Sequence, residues 1–149
     1  MADMITIRGV VGTDPQLTIT PKGVSVLKFR VASHENRRDR DTGEWNEGPT
    51  NWYSATAFRG LAENTMESIV QGDHVVLFGK LQIRQFDRED GTRGTSADVE
   101  IYALGHDLKY GISQFTRTRS ENVSPERSIH GTAQKAQKNS WAGEESDAA

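Results

Sequence analysis

Alternation of apolar and polar residues with a period of two runs through five segments of this chain, and only one stretch has helical spacing. A period of two is what a strand shows when one face is buried and the other wet. Ile5, Ile7, Gly9 and Val11 alternate with Thr6 and Arg8; Leu27, Phe29 and Val31 alternate with Lys28 and Arg30. Tyr53, Ala55 and Ala57 alternate with Trp52, Ser54, Thr56 and Phe58. Val75, Leu77, Gly79, Leu81 and Ile83 oppose Lys80, Gln82, Arg84 and Phe86, and Ala97, Val99, Ile101 and Ala103 oppose Asp98, Glu100 and Tyr102. The first residue set in each pair is the expected core.

Between the third and fourth segments, Leu61, Ala62, Met66, Ile69 and Val70 share one helical face over residues 59–70, and Gly72 follows as a stop. Asp14-Pro15, Pro21-Lys22-Gly23 and the run from Asp87 to Gly94 mark turns. His34 to Thr50 is polar, carries both charge signs and reads as a long flexible loop. Three strands, a helix and two strands is the order of an OB-fold, an all-β five-stranded Greek-key barrel. No βαβ unit repeats, which argues against a parallel sheet. From Ile112 onward apolar residues become isolated among Ser, Thr, Gln, Asn and Gly. Residues 1–111 are therefore expected to form the domain and 112–149 a disordered tail.

Composition narrows the function. The mean hydropathy of -0.67 is low, in keeping with such a tail. No apolar run approaches a membrane span, and Met1-Ala2-Asp3 has no export-signal layout, so a cytoplasmic, nucleoid-associated protein is expected. There is no cysteine, hence no disulfide and no thiolate-bound metal. The four histidines stand far apart without ligand spacing, and no glycine-rich loop precedes a Lys-Ser/Thr pair. Neither a catalytic site, a metal nor a cofactor is expected.

What remains is the wet face of the strands. It carries Trp52, Phe58 and Phe86 beside Lys80 and Arg84, with Lys28 and Arg30 extending it. Rings offer stacking surfaces to bases and cations neutralise phosphates, the combination that suits single-stranded nucleic acid. The net charge is -3, so phosphate binding has to come from local placement of cations. Arg37, Arg38 and Arg40, followed by Trp45, would let the loop act as a finger over a bound strand. The competing reading is an OB module for RNA or for protein assembly, in which the same rings stack RNA bases or bury against a partner.

The chain also resembles a known family. Gly12-Thr13-Asp14-Pro15, Lys28-Phe29-Arg30-Val31-Ala32-Ser33, Thr42-Gly43-Glu44-Trp45, Thr50-Asn51-Trp52, the run from Phe58 to Asn64 and Gly79-Lys80-Leu81-Gln82 follow in register. In that order and spacing they resemble the bacterial single-stranded DNA-binding proteins over residues 3–110. The resemblance implies an OB-fold, a homotetramer, and wrapping of single-stranded DNA in replication, recombination and repair. It places Trp52, Phe58 and Phe86 at base-stacking positions and Arg84 at a basic one.

Departures from the family pattern are informative. Arg37 stands where another stacking tryptophan is usual, Tyr53-Ser54 replaces a histidine-arginine pair, and Gly60 replaces a common lysine beside Arg59. The end of the chain, Trp141 to Ala149, has acids but no Asp-Ile-Pro-Phe-like tip of the kind that docks repair enzymes, so recruitment through it is not expected. The chain is thus most similar to a secondary paralogue of actinobacterial type.

Overall fold

Every expected strand forms, and pairing closes them into a barrel. In the computed structural model residues 1–119 are described; the expectations for the chain end, including its tip, lie outside them. Met1–Gln114 form one compact unit. Its elements are β1 (Asp3–Val11), β2 (Gln16–Ile19), β3 (Ser25–Arg38), β4 (Trp45–Phe58), α1 (Arg59–Ser68), β5 (His74–Asp87) and β6 (Arg93–His106). The six-stranded sheet runs β1-β5-β6-β4-β3-β2, and β1 also pairs with β3, which closes it. Pairs are antiparallel except β4 with β6, which run parallel over Ser54–Thr56.

Inside lie Leu27, Leu77, Val11, Val31, Val75 and Val99, each less than 2% exposed, with Ile7, Phe29, Ala55, Ala57 and Ile101 around them. α1 adds Ala62 to this core and Ile69, just past its end, adds a second residue; the Ser25 hydroxyl donates to Glu63 at 2.8 Å to fix the helix against β3. Apolar burial of this kind, at about 25 cal/mol per Å², is the main stabilising term.

Five features differ from the expectations. β2 is an additional strand, paired with β3 from Gln16↔Lys28 to Ile19↔Ser25. Gln16-Leu17-Thr18-Ile19 alternates in sequence, but over only four residues between Asp14-Pro15 and Pro21, and all four are exposed, so the alternation marks no buried face. Residues 34–50 are not a long loop. β3 and β4 continue through them as a hairpin with a bulge between His34 and Asn36 and pairs out to Arg38↔Trp45. Its tip turns at Gly43 (φ 70°), a left-handed backbone that glycine adopts without Cβ strain. Both flanks are polar, so period-two burial could not reveal it.

α1 ends at Ser68, two residues early, because Ile69 is extended and the Asp73 carboxylate accepts the Val70 N–H at 3.0 Å. Val70 is consequently exposed, and within the helix Thr65 is buried while Met66 is exposed. Ile83, expected inward, is 58% exposed because the outer half of the β5–β6 hairpin projects past the core. Ala103 also points outward. A register shift pairs Phe78 with Ala103 but Gly79 with Ile101, leaving Tyr102 as the extra residue, and Leu104 takes the inward position opposite Leu77.

Candidate nucleic-acid interface

Strand pairing assembles the wet face into rows that cross the sheet. One row is Arg30, Ser54, Asp98 and Gln82; the next is Lys28, Thr56, Glu100 and Lys80. Adjacent strands lie about 4.8 Å apart, so each row spans roughly 14 Å from β3 to β5. Two shallow grooves follow these rows. One, about 570 Å³, is lined by Thr13, Lys28, Arg30, Ser54 and Gln71 among others. The second, about 450 Å³, is lined by Lys28, Phe58, Lys80, Gln82, Asp98 and Glu100 among others. Lys28 and Thr56 line both, so the grooves adjoin.

The three rings stand on this surface with substantial exposure: Trp52 45%, Phe58 38% and Phe86 43%. Their settings differ. The Trp52 indole lies over Gly12, where a Cβ would come 2.5 Å from its Cζ3. The Arg30 guanidinium carbon sits 4.7 Å from the Trp52 ring centroid, within cation–π range. Arg30 is itself fixed through its backbone, since its N–H donates to Thr13 Oγ1 at 2.9 Å and its carbonyl accepts Gly12 N–H at 2.7 Å. Phe58, at the end of β4, opposes Val26 and forms one wall of the second groove. The chain leaves β4 there through Arg59, whose φ of 60° turns it into α1.

Phe86 opposes Gly94 across the β5–β6 pair, and its ring tip fills the space a Cβ at Gly94 would need. Gly94 is buried beneath it. Arg88 places its guanidinium carbon 5.8 Å from the Phe86 centroid. The adjoining turn is held by Asp90, whose Oδ1 accepts the Thr92 hydroxyl at 2.6 Å and the Thr92 N–H at 3.0 Å. Those bonds hold the Asp90 carboxyl below its ordinary pKa.

The cations are unequal too. Lys80 stands in the second groove opposite Glu100. Arg84 is engaged: its Nε lies 3.3 Å from Asp98 Oδ2. Arg37 and Arg38 are on the hairpin extension, away from the rows. Arg37 Nε is 3.8 Å from Glu35, and Arg38 Nε donates to the Gly43 carbonyl at 3.4 Å. Sequence reasoning thus grouped eight residues that the structure divides between the sheet face (Arg30, Trp52, Phe58, Lys80), the projecting β5–β6 hairpin (Arg84, Phe86) and the β3–β4 hairpin (Arg37, Arg38). It missed Gly12, Gly94 and Arg88. The glycines show no local signal of their partners, and Arg88 was hidden among the charges of its turn.

Among the described residues no group of three or more His, Cys, Asp or Glu could hold a metal ion, and no helix is long and apolar enough to cross a membrane.

A closed barrel with aromatic rings and cations across one outer face defines an OB-fold of nucleic-acid-binding type. The chain belongs to the single-strand binding protein family, whose model matches residues 3–106. It is 36% identical over 113 residues to single-stranded DNA-binding protein 2 of Tropheryma whipplei, covering 76% of this chain and 74% of that protein. The single-stranded DNA-binding protein of Mycobacterium bovis is likewise 36% identical over 113 residues, covering 76% of this chain and 69% of that one. Among solved structures, the small single-stranded DNA-binding protein of Streptomyces coelicolor superposes with a TM-score of 0.67 at 38% identity, covering 74% of this chain and 98% of that one. The second such protein of Mycobacterium smegmatis, SSBb, gives 0.59 at 25% identity, covering 78% and 100%.

Proposed function

We propose that this chain binds single-stranded DNA without sequence preference and without chemistry. Bases stack on Trp52, Phe58 and Phe86, and phosphates are held by Arg30, Arg37, Arg38, Lys80 and Arg84. The observation that carries this reading is two half-exposed rings, Trp52 and Phe58, among cations on the barrel face, with Phe86 on the hairpin that prolongs it, in a member of the single-strand binding family. The binding unit is residues 1–111, and deletion of residues 121–149 should leave affinity within a few-fold. The setting is replication, recombination or repair in the cytoplasm.

The protein acts as a homotetramer. Supporting self-association, Met4 and Phe78 are exposed on the outer face of the paired strands β1 and β5. Light scattering across a concentration series tests this, and a monomer at all concentrations removes it.

The decisive experiment is tryptophan fluorescence during titration with oligo-dT at low and moderate salt, with duplex DNA as control. Quenching by oligo-dT alone is expected. Each stacked base is worth about 1–3 kcal/mol, so Trp52→Ala or Phe86→Ala should each weaken binding roughly ten-fold. If both variants bind as the parent does, stacking on this face is wrong. Competition with oligo-rU distinguishes a DNA function from an RNA one.

A further inference from the structure

The outward face of β6 carries Asp98 and Glu100, and the pairing puts β6 between β4 and β5. Two carboxylates therefore stand in the middle of the rows that hold Arg30, Lys28 and Lys80. That is an adverse place for them if the face receives phosphates, because like charges at close range repel. Asp98 is also committed locally. Its Oδ1 accepts the Ser96 hydroxyl at 2.6 Å, and its Oδ2 lies 3.3 Å from Arg84 Nε. The two partners differ in freedom: the Arg84 side chain is 66% exposed, the Asp98 side chain 30%. Arg84 is thus the movable member and Asp98 the fixed one. Opening the pair needs only a rotation of the longer side chain toward solvent.

Resting on the single-stranded DNA reading above, we propose that Asp98 is an affinity-setting residue that competes internally with DNA phosphate for Arg84. In the free protein Asp98 occupies the guanidinium. When a strand is laid across β6, a phosphate takes over Arg84, and the Asp98 carboxylate stays behind on the same face with its Ser96 bond. Arg84 then exchanges one anion for another and adds less affinity than a free cation would. The strand is held on this part of the face by stacking on Phe86, with a weakened electrostatic grip beside it.

The test is the full-length protein carrying Asp98→Asn, titrated with oligo-dT over a salt series, together with Arg84→Ala and the double variant. Asparagine keeps the shape and can still accept the Ser96 hydroxyl. Asp98→Asn is expected to bind about two- to five-fold more tightly, the strength of an exposed ion pair. The slope of log K against log salt should steepen by up to about 0.7, because no Asp98 carboxylate is left to take up a cation when phosphate engages Arg84. In the Arg84→Ala background the same substitution should lose most of its effect. Equal tightening in both backgrounds would mean plain repulsion by Asp98, and unchanged or weaker binding would mean no competition; either overturns the proposal. Should the asparagine variant not fold, Asp98→Thr removes the charge with a residue that favours strands. Trp52→Ala and Phe86→Ala, run alongside, separate the two readings. If they weaken binding and Asp98→Asn does not tighten it, only the competition fails; if they are silent, the interface itself is wrong.

Discussion

The guanidinium of Arg30 lies 4.7 Å from the centre of the Trp52 ring, one strand over on the sheet. Arg30 opposes Ser54, so the contact is diagonal, between neighbouring rows of the β3–β4 pair. Before any strand arrives, the largest stacking surface of the face is therefore held by a cation.

This relationship predicts different outcomes for two substitutions. Arg30→Lys keeps the charge but loses the planar group that matches the ring. Arg30→Ala loses both, and should weaken oligo-dT binding more and flatten its salt dependence by up to about 0.7. Emission in a Trp45→Phe, Trp141→Phe background reports Trp52 alone, and should shift in both variants even without DNA. An unshifted spectrum would show that the guanidinium does not order the indole.

Gly12 should be intolerant of a side chain because of Trp52. A Cβ there would stand 2.5 Å from Trp52 Cζ3 and 3.5 Å from the Arg30 carbonyl. Gly12→Ala is expected to move the ring and lower affinity several-fold, with little change in melting temperature. Combined with Trp52→Ala it should cost no further affinity, since interacting sites are non-additive. Full additivity in that double-variant cycle would mean Gly12 acts independently of the ring.

Phe86 and Gly94 form a similar pair on the β5–β6 hairpin. Gly94→Val favours a strand by propensity but occupies the place of the ring tip. The expected result is weaker oligo-dT binding together with chemical-shift changes at Phe86. Retained affinity would show that the ring binds equally well in another rotamer.

The β3–β4 hairpin can be tested through salt. Arg37 and Arg38 sit beyond the bulge, with Arg37 near Glu35 and Arg38 bonded to the turn. If they hold phosphates, Arg37→Ala with Arg38→Ala should reduce the salt slope by about 1.4 at most, two single-strand contacts. A slope equal to that of the parent would remove the hairpin from the interface.

After β6, acid pH should release the chain from the barrel. Arg8 Nε and Nη2 donate to Asp107 Oδ2 at 3.0 and 2.7 Å, and His74 stacks on Tyr110 at 3.7 Å. The Arg8 hydrogen bonds hold the Asp107 carboxyl below its ordinary pKa. A depressed folded-state pKa means the stabilisation is present above the unfolded-state value and is lost as pH falls through the folded one. Protection of the amides at residues 107–113, taken relative to their intrinsic exchange at each pH, should therefore decrease at pH below the ordinary carboxylate range while the core stays protected. Arg8→Gln should reduce that pH dependence, leaving the part due to the Lys109 N–H, which donates to Asp107 Oδ1 at 3.1 Å.

Much of the architecture was legible because burial writes itself locally. Alternation marks each barrel strand by its own residues, and it named Leu27, Phe29, Ala55, Leu77 and Val99 as core. It failed where a strand buries neither face, as in β2 and the β3–β4 hairpin, and where Tyr102 shifts the register and turns Ala103 outward. Trp52, Phe58 and Phe86 were legible as exposed rings on a strand's wet face. Their settings were not. Gly12 under Trp52, Gly94 under Phe86 and Asp98 against Arg84 are contacts between residues on different strands. Composition and period decide which face of a strand meets water. Only closure of the barrel decides which residues share that face, because register is a property of pairs and neither strand carries it alone.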